Sequence, residues 1–255
     1  MSKSIWERHY YRNRDIGFLV NDEIIEYDIK SAGLNLAKEF KYLDENIIHK
    51  LESMDKERRN IQMGLMKIKD KQLVKNENTA FVEARRFFIR SNNLSANNII
   101  SIKKDAIFTS QRCRNLKFGN IEFVPKNKYS TYIEINNLEF YYNKDKLDVK
   151  GISDILLKKH EGYMVEFFKD FFSLYESGST KLLIDYMTEF VYRYKTRLLE
   201  TEYYREFNAT SSFMLNNVIE KKGFIIDEID SSSLSDINIA YNYFNYLVPM
   251  TTMLI

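Results

Sequence analysis

One cysteine in 255 residues, Cys113, leaves no partner for an intramolecular disulfide and excludes a cysteine-rich zinc site; it fits a reducing cytoplasm. Proline is scarce at 2 residues and glycine at 8, and so few interruptions favour long helices. No apolar run approaches the roughly twenty residues that a membrane helix needs. The opening Met-Ser-Lys-Ser-Ile-Trp-Glu-Arg-His also places charges where a signal peptide requires an apolar stretch. A soluble cytoplasmic chain with no membrane partner is therefore expected. Neither sign of charge dominates: 38 basic against 36 acidic residues give a net charge of +2, so any nucleic-acid surface must arise from local segregation. The three histidines, His9, His49 and His160, are too scattered for a metal site or a triad. A Gly-x-Ser-x-Gly elbow and a Gly-x-x-x-x-Gly-Lys loop are both missing, which argues against a serine hydrolase and a P-loop NTPase.

What the chain does have is a 44% apolar fraction, 18 Tyr and 18 Phe, enough for a substantial core. Its most informative features are two aspartates, each at a polar step of a strand-like run. In Ile24-Ile25-Glu26-Tyr27-Asp28-Ile29-Lys30-Ser31, the residues Ile25, Tyr27 and Ile29 point one way while Glu26, Asp28 and Lys30 point the other. Asp105 lies in the matching run from Ile99 to Phe108. Two carboxylates on neighbouring strands can converge on hard divalent cations, and such cations clamp both oxygens of a phosphoryl transfer. The competing role for either aspartate is a helix cap or a partner for Lys30 or Lys103.

Around these runs the pattern predicts helices over 31–51, 55–68 and 78–91, then strands over 121–124, 129–135 and 138–142, with Asn136-Asn137 as a hairpin turn. Helices follow near 152–175 and 180–207, their aromatics forming packed core. In the tail, a short strand at Phe224-Ile225-Ile226 and a last helix over 237–254 are expected. The plan is α+β: an N-terminal arm over 1–23, a mixed domain over 24–151 and a helical region over 152–255. In the arm, Arg8, Arg12 and Arg14 interleave with Trp6, Tyr10 and Tyr11, either as a base-stacking surface or as aromatics packed on the domain.

Asp28-Ile29-Lys30-Ser31 resembles the first palm motif of DNA polymerases, a strand-end aspartate followed by serine and a helix. Ile102-Lys103-Lys104-Asp105-Ala106-Ile107-Phe108 is similar to the later palm motif of family B, Asp-Thr-Asp-Ser-Ile-Phe, with the second aspartate on Asp105. Ala80 to Arg86 is similar to the alanine- and arginine-bearing helix of that family, Lys126-Asn127-Lys128-Tyr129 to its lysine-tyrosine hairpin, and Val149-Lys150-Gly151-Ile152 to its step into the thumb. The pieces fall in the family's order over residues 24 to 155. The sequence departs from the pattern at Lys103 and Ala106, where the family has aspartate and serine. The fingers motif of lysine, asparagine, tyrosine and glycine is not recognised.

The resemblance implies an antiparallel palm-like sheet with reduced fingers helices, followed by a thumb-like region, with no room for an exonuclease domain before residue 24; the composition, rich in Asn, Lys, Ile, Tyr and Phe, suits a phage or other mobile element. It implies Mg²⁺ or Mn²⁺ at Asp28 and Asp105, with Glu26 a third ligand, and dNTPs and nucleic acid as partners. Phosphate contacts are expected from Arg58, Arg59, Lys67, Arg85, Arg86 and Lys103, and nucleic-acid contacts from Lys128 and Tyr129. The helix cations read equally as a solvated face paired with Asp55, Glu57 and Glu83. Three functions stay open: a nucleotidyltransferase, a palm-derived protein that binds nucleic acid or a replication or host protein without chemistry, and a two-metal nuclease. A protein partner supplying missing domains belongs to the same expectation.

Overall fold

A computed structural model describes residues 3–135, 138–144, 146–151, 166–200, 213–215 and 218–220. The fold is α+β, with antiparallel sheets and, among the described residues, six α-helices. The chain divides into two units, residues 1–17 with 22–129, and residues 18–21 with 130–255. This division falls at Tyr129/Ser130, whereas the sequence reading placed boundaries near 23 and 151, and the arm over 1–23 contributes residues 1–17 to the first unit and 18–21 to the second.

In the first unit a six-stranded sheet runs β1-β4-β5-β3-β7-β6, formed by β1 (Tyr10–Arg12), β3 (Ile24–Ile29), β4 (Ile99–Lys103), β5 (Ala106–Thr109), β6 (Lys117–Phe118) and β7 (Ile121–Tyr129). The arm is held because β1 pairs with β4, Tyr11 opposite Ile102. Trp6 and Tyr11 pack against the core, and Trp6 carries Arg90 5.1 Å above its ring, whereas Tyr10 is exposed. One face of β3 supplies Ile25, Tyr27 and Ile29 to a core completed by Ala80, Phe81, Ala84 and Phe88 of α4 (Lys71–Ser91).

Helix α1 (Ala32–Phe40) ends where Lys41 turns to a φ of +50°, and α2 (Glu45–Glu52) restarts under the cap of Asp44, which accepts from the Asn46 amide at 2.8 Å. The single helix expected over 31–51 is therefore two. Asp70, read from sequence as a loop, joins α3 (Lys56–Lys69) to α4 with no intervening residue: it ends the first and its carboxylate caps the second. Gly33 in α1 faces α3, where a Cβ would lie 3.3 Å from the Met63 methyl.

Strand β7 runs past Pro125, where the sequence reading ended it. Its pairing with β6 stops at Glu122, so beyond that point the proline sits on an edge that loses no ladder bond. Opposite it, the β3 register slips between Glu26 and Tyr27: Glu26 faces Asn127 and Tyr27 faces Pro125, leaving Lys126 as the extra residue of a β-bulge.

In the second unit the sheet runs β10-β9-β8-β2, from β2 (Phe18–Leu19), β8 (Thr131–Ile135), β9 (Leu138–Asn143) and β10 (Lys146–Lys150). Against it packs a helix α5 over 166–176, through Phe140 on Phe168 at 4.4 Å, and α6 (Thr180–Lys195) packs on α5 through Phe167 on Phe190 at 4.2 Å between ring centroids. A two-stranded ribbon of β11 (Phe213–Leu215) and β12 (Val218–Glu220) follows. The Asn136-Asn137 turn, residues 152–165 and 201–207 of the expected helices, the 224–226 strand and the 237–254 helix lie outside the described residues.

Candidate active site

The strand carrying Asp28 and the hairpin carrying Asp105 are direct neighbours. β3 pairs antiparallel with β5, Asp28 opposite Ala106, which sets Asp105 beside Asp28 at the same end of the sheet. Asp105 itself is not in a strand, as the sequence reading had it, but in the two-residue turn between β4 and β5. Burial pushes its carboxyl above the usual aspartate range, and the negative charge of Asp28 pushes it further the same way.

That turn is over-determined. Lys104, its first residue, takes a φ of +57°, a place where two-residue hairpins favour glycine. The strain is held from both sides: the Lys104 amide donates to the His9 carbonyl at 2.6 Å, and its carbonyl accepts from the Arg85 guanidinium at 2.7 Å. Arg85 also donates to the Trp6 carbonyl at 2.9 Å and is 0% exposed. Burial pushes it down to about 10, with the charge of Asp105 opposing, so it stays a cation at neutral pH. Expected at a phosphate, Arg85 instead braces the Asp105 turn from inside the core.

Both aspartates open on a cavity of about 550 Å³ whose walls come from the start of α1, from α3, and from Glu77 and Phe81 on α4. Its lining is mainly cationic: Lys30, Lys56, Arg59, Lys67, Lys104 and Lys126 against Asp28, Glu77 and Asp105. Arg59 reaches across to donate to the Ser31 hydroxyl at 3.3 Å. Glu77, 3% exposed, holds two of the lysines, ion-paired with Lys67 and 3.6 Å from the Lys104 ammonium. Lys126 donates to Asp28 Oδ2 at 2.9 Å and lies 3.8 Å from Glu26 Oε1. Its hydrogen bond to Asp28 holds the Lys126 ammonium above its usual pKa against the cost of burial, helped by the charges of Asp28, Glu26 and Asp105.

The other residues singled out from sequence fall in different places. Arg59 and Lys67 line the cavity. Arg58 points to solvent, paired with Asp55 at 3.3 Å, and Arg86 is paired with Glu83 beside a separate groove lined by Phe40, Phe87 and Phe118. Lys103 is half-buried on β4, facing Tyr10 across the strand pair; the hairpin turn ends the alternation that would have put it beside Asp105, and Lys104 takes that place. Glu26 is 3% exposed, its carboxylate accepting from Asn127 and, at 3.2 Å, from the Tyr129 hydroxyl. Lys128 lies 3.8 Å from Glu23.

Sequence reasoning passed over Lys56, Asn60, Met63, Gly64, Glu77, Lys104 and Lys126, all of which line the cavity. On α3, Lys56, Asn60 and Gly64 follow the order in which the resembled family's fingers motif has lysine, asparagine and glycine, with Met63 where that motif has tyrosine.

The donor set suits a hard cation. Two aspartate carboxylates beside a roomy polar cavity match Mg²⁺, which binds through one or two carboxylates and completes its shell with water and substrate phosphates. Among the described residues there is no group of three or more His, Cys, Asp or Glu side chains placed to hold a metal, so the offer is a carboxylate pair rather than a closed cage.

Fold and site together define an α+β protein with a two-aspartate, lysine-rich cavity at one end of an antiparallel sheet. The chain belongs to the bacteriophage PBS1 gene 130 protein family, whose model matches residues 1–255, and it is thus of phage type. No curated protein matches its sequence. No helix among the described residues is long and apolar enough to cross a membrane.

Proposed function

We propose that this protein is a nucleotidyltransferase of the polymerase-palm type, acting in the cytoplasm of the phage's host on dNTPs and a nucleic-acid strand. The observation that carries the reading is the meeting of Asp28 and Asp105, distant in sequence, at the mouth of one basic cavity. The order of the elements supports it, as does the α3 helix with Lys56, Asn60 and Gly64 facing the aspartates' cavity.

In this reading Asp28 and Asp105 hold Mg²⁺ or Mn²⁺. A bound divalent cation supplies a lowered pKa for an attacking hydroxyl and neutralises charge on the transferred phosphoryl group. The chain's own part is positioning and electrostatics. Lys56, Arg59 and Lys67 would face the triphosphate from α3, and Lys104 from the hairpin. Arg85 keeps the Lys104-Asp105 turn in its strained shape, so the Asp105 carboxylate is aimed before substrate arrives. Lys128, exposed on β7, remains the candidate for contact with the growing strand, whereas Tyr129, expected beside it, is 2% exposed with its hydroxyl given to Glu26 and is a packing residue.

One observation favours the second reading, a binding protein without chemistry: the Lys126 ammonium already neutralises Asp28. Incorporation assays separate the two. Purified protein with Mg²⁺ or Mn²⁺ is expected to add labelled dNTPs to a primed template, and Asp105→Asn and Asp28→Asn are each expected to abolish it. A wild-type protein silent on every DNA and RNA template, yet retaining nucleic acid in a mobility-shift assay, would replace the first reading with the second.

A further inference from the structure

Lys126 reaches the aspartates by a specific device. It is the extra residue of the bulge between β7 and β3, and a bulge re-aims the side chain that a regular ladder would have sent elsewhere. The re-aimed ammonium lies 2.9 Å from Asp28 Oδ2 and 3.8 Å from Glu26 Oε1, where a carboxylate-bound cation would compete with it. Yet the lysine is not locked in: its side chain is 53% exposed, and the same cavity offers room for the ammonium to move.

We propose that Lys126 is the resident counter-ion of the cation position: its ammonium holds Asp28 while no nucleotide is bound, and a divalent cation enters as the lysine leaves. This rests on Asp28 and Asp105 being cation ligands, and it adds how their occupancy is regulated. Without Lys126, Asp28 would lose the ammonium on its Oδ2 while still facing Asp105, whose charge Lys104 offsets from the hairpin without cancelling the effect of burial and of Asp28. With one, the metal-free site is neutralised, and cation binding is weak until an anion draws the ammonium away. A triphosphate provides that anion, so Lys126 would exchange a carboxylate for a phosphate and release Asp28 in the same movement.

The test measures Mn²⁺ binding to the full chain by electron paramagnetic resonance of the free ion, without nucleotide. Lys126→Met and Lys126→Gln are each expected to bind Mn²⁺ roughly tenfold or more tightly than wild type, because a unit positive charge has been removed from beside the ligand oxygens. Lys126→Arg, which keeps the charge, should stay close to wild type. Adding Asp28→Asn to Lys126→Met should remove the gain. Circular dichroism melts show which variants are folded, and two neutral replacements keep the comparison intact should one of them fail. Equal, measurable affinity in wild type and both neutral variants would overturn the counter-ion role and leave the nucleotidyltransferase reading standing. No Mn²⁺ binding by any folded variant would overturn both.

Discussion

Asp105 carries an electrostatic load that depends on pH. Burial and the neighbouring Asp28 raise its pKa in the folded chain, so the fold binds this proton more tightly than the unfolded chain does. The associated stability is fully present below the ordinary aspartate range and is lost as pH rises through the folded-state value. Asp105→Asn mimics the protonated form and relieves this load. It is expected to raise the melting temperature at pH 8 and to leave it near wild type at about pH 4, as read by thermal melts across that range; an equal shift at both ends would show that the charge is not responsible. At this scale Asp28 stood out as a polar step of an alternating strand, and Asp105 as the acid of the next strand-like run, although it lies in the turn that ends that strand. The sequence also held a clue to Arg85 that was not used: Phe81, Ala84, Arg85 and Phe88 share one helical face, so Arg85 lies on the buried side of α4 while Arg86 does not. Lys126 was beyond reach, since its position depends on a bulge, and no local pattern in β7 announces where the ladder skips a residue.

Among the elements, the α3–α4 junction has the least redundancy. Asp70 is the whole connection, its carboxylate accepting from the Gln72 amide at 2.8 Å and from the Leu73 amide at 3.2 Å. Asp70→Ala removes the cap of α4, the longest helix among the described residues, and is expected to cost about 1–2 kcal/mol in a denaturant melt, with Asp70→Asn or Asp70→Ser recovering most of it. Because α3 lines the cavity, the uncapped variant should also bind triphosphate more weakly than the Asn form. The helices over 55–68 and 78–91 were legible from their periodicity, with boundaries set further out by this cap. The 31–51 stretch was over-extended because its apolar spacing continues through Lys41, and only backbone geometry there reveals the break. The hairpin at Lys104-Asp105 was hidden for a related reason. It uses a lysine where glycine would have marked the turn, and the brace that makes this tolerable comes from His9 and Arg85, remote in sequence.

At the level of the molecule, every residue lining the cavity belongs to the first unit. Trp6, the one tryptophan of the chain, lies in that unit too and packs on its core. Residues 1–129 expressed alone are therefore expected to melt cooperatively by Trp6 fluorescence, with a midpoint within a few degrees of the full chain. A broad, non-cooperative melt would show that the unit depends on the rest. The α+β class and the aromatic packing of the C-terminal helices were readable from the pattern. The division at Tyr129/Ser130 was not, because strands that adjoin in sequence were assigned to one sheet when they serve two.

The short strand Phe18–Leu19 gives this division a further meaning. It leaves the first unit, pairs with β8 through Phe18 opposite Ile133, and the chain then returns to begin β3. On the ribosome this strand emerges on the order of a hundred residues before its partner, a delay that non-local pairings impose on folding. The unit that carries the two aspartates can thus mature while Phe18–Leu19, made almost first, still waits for the strand it joins in the other unit.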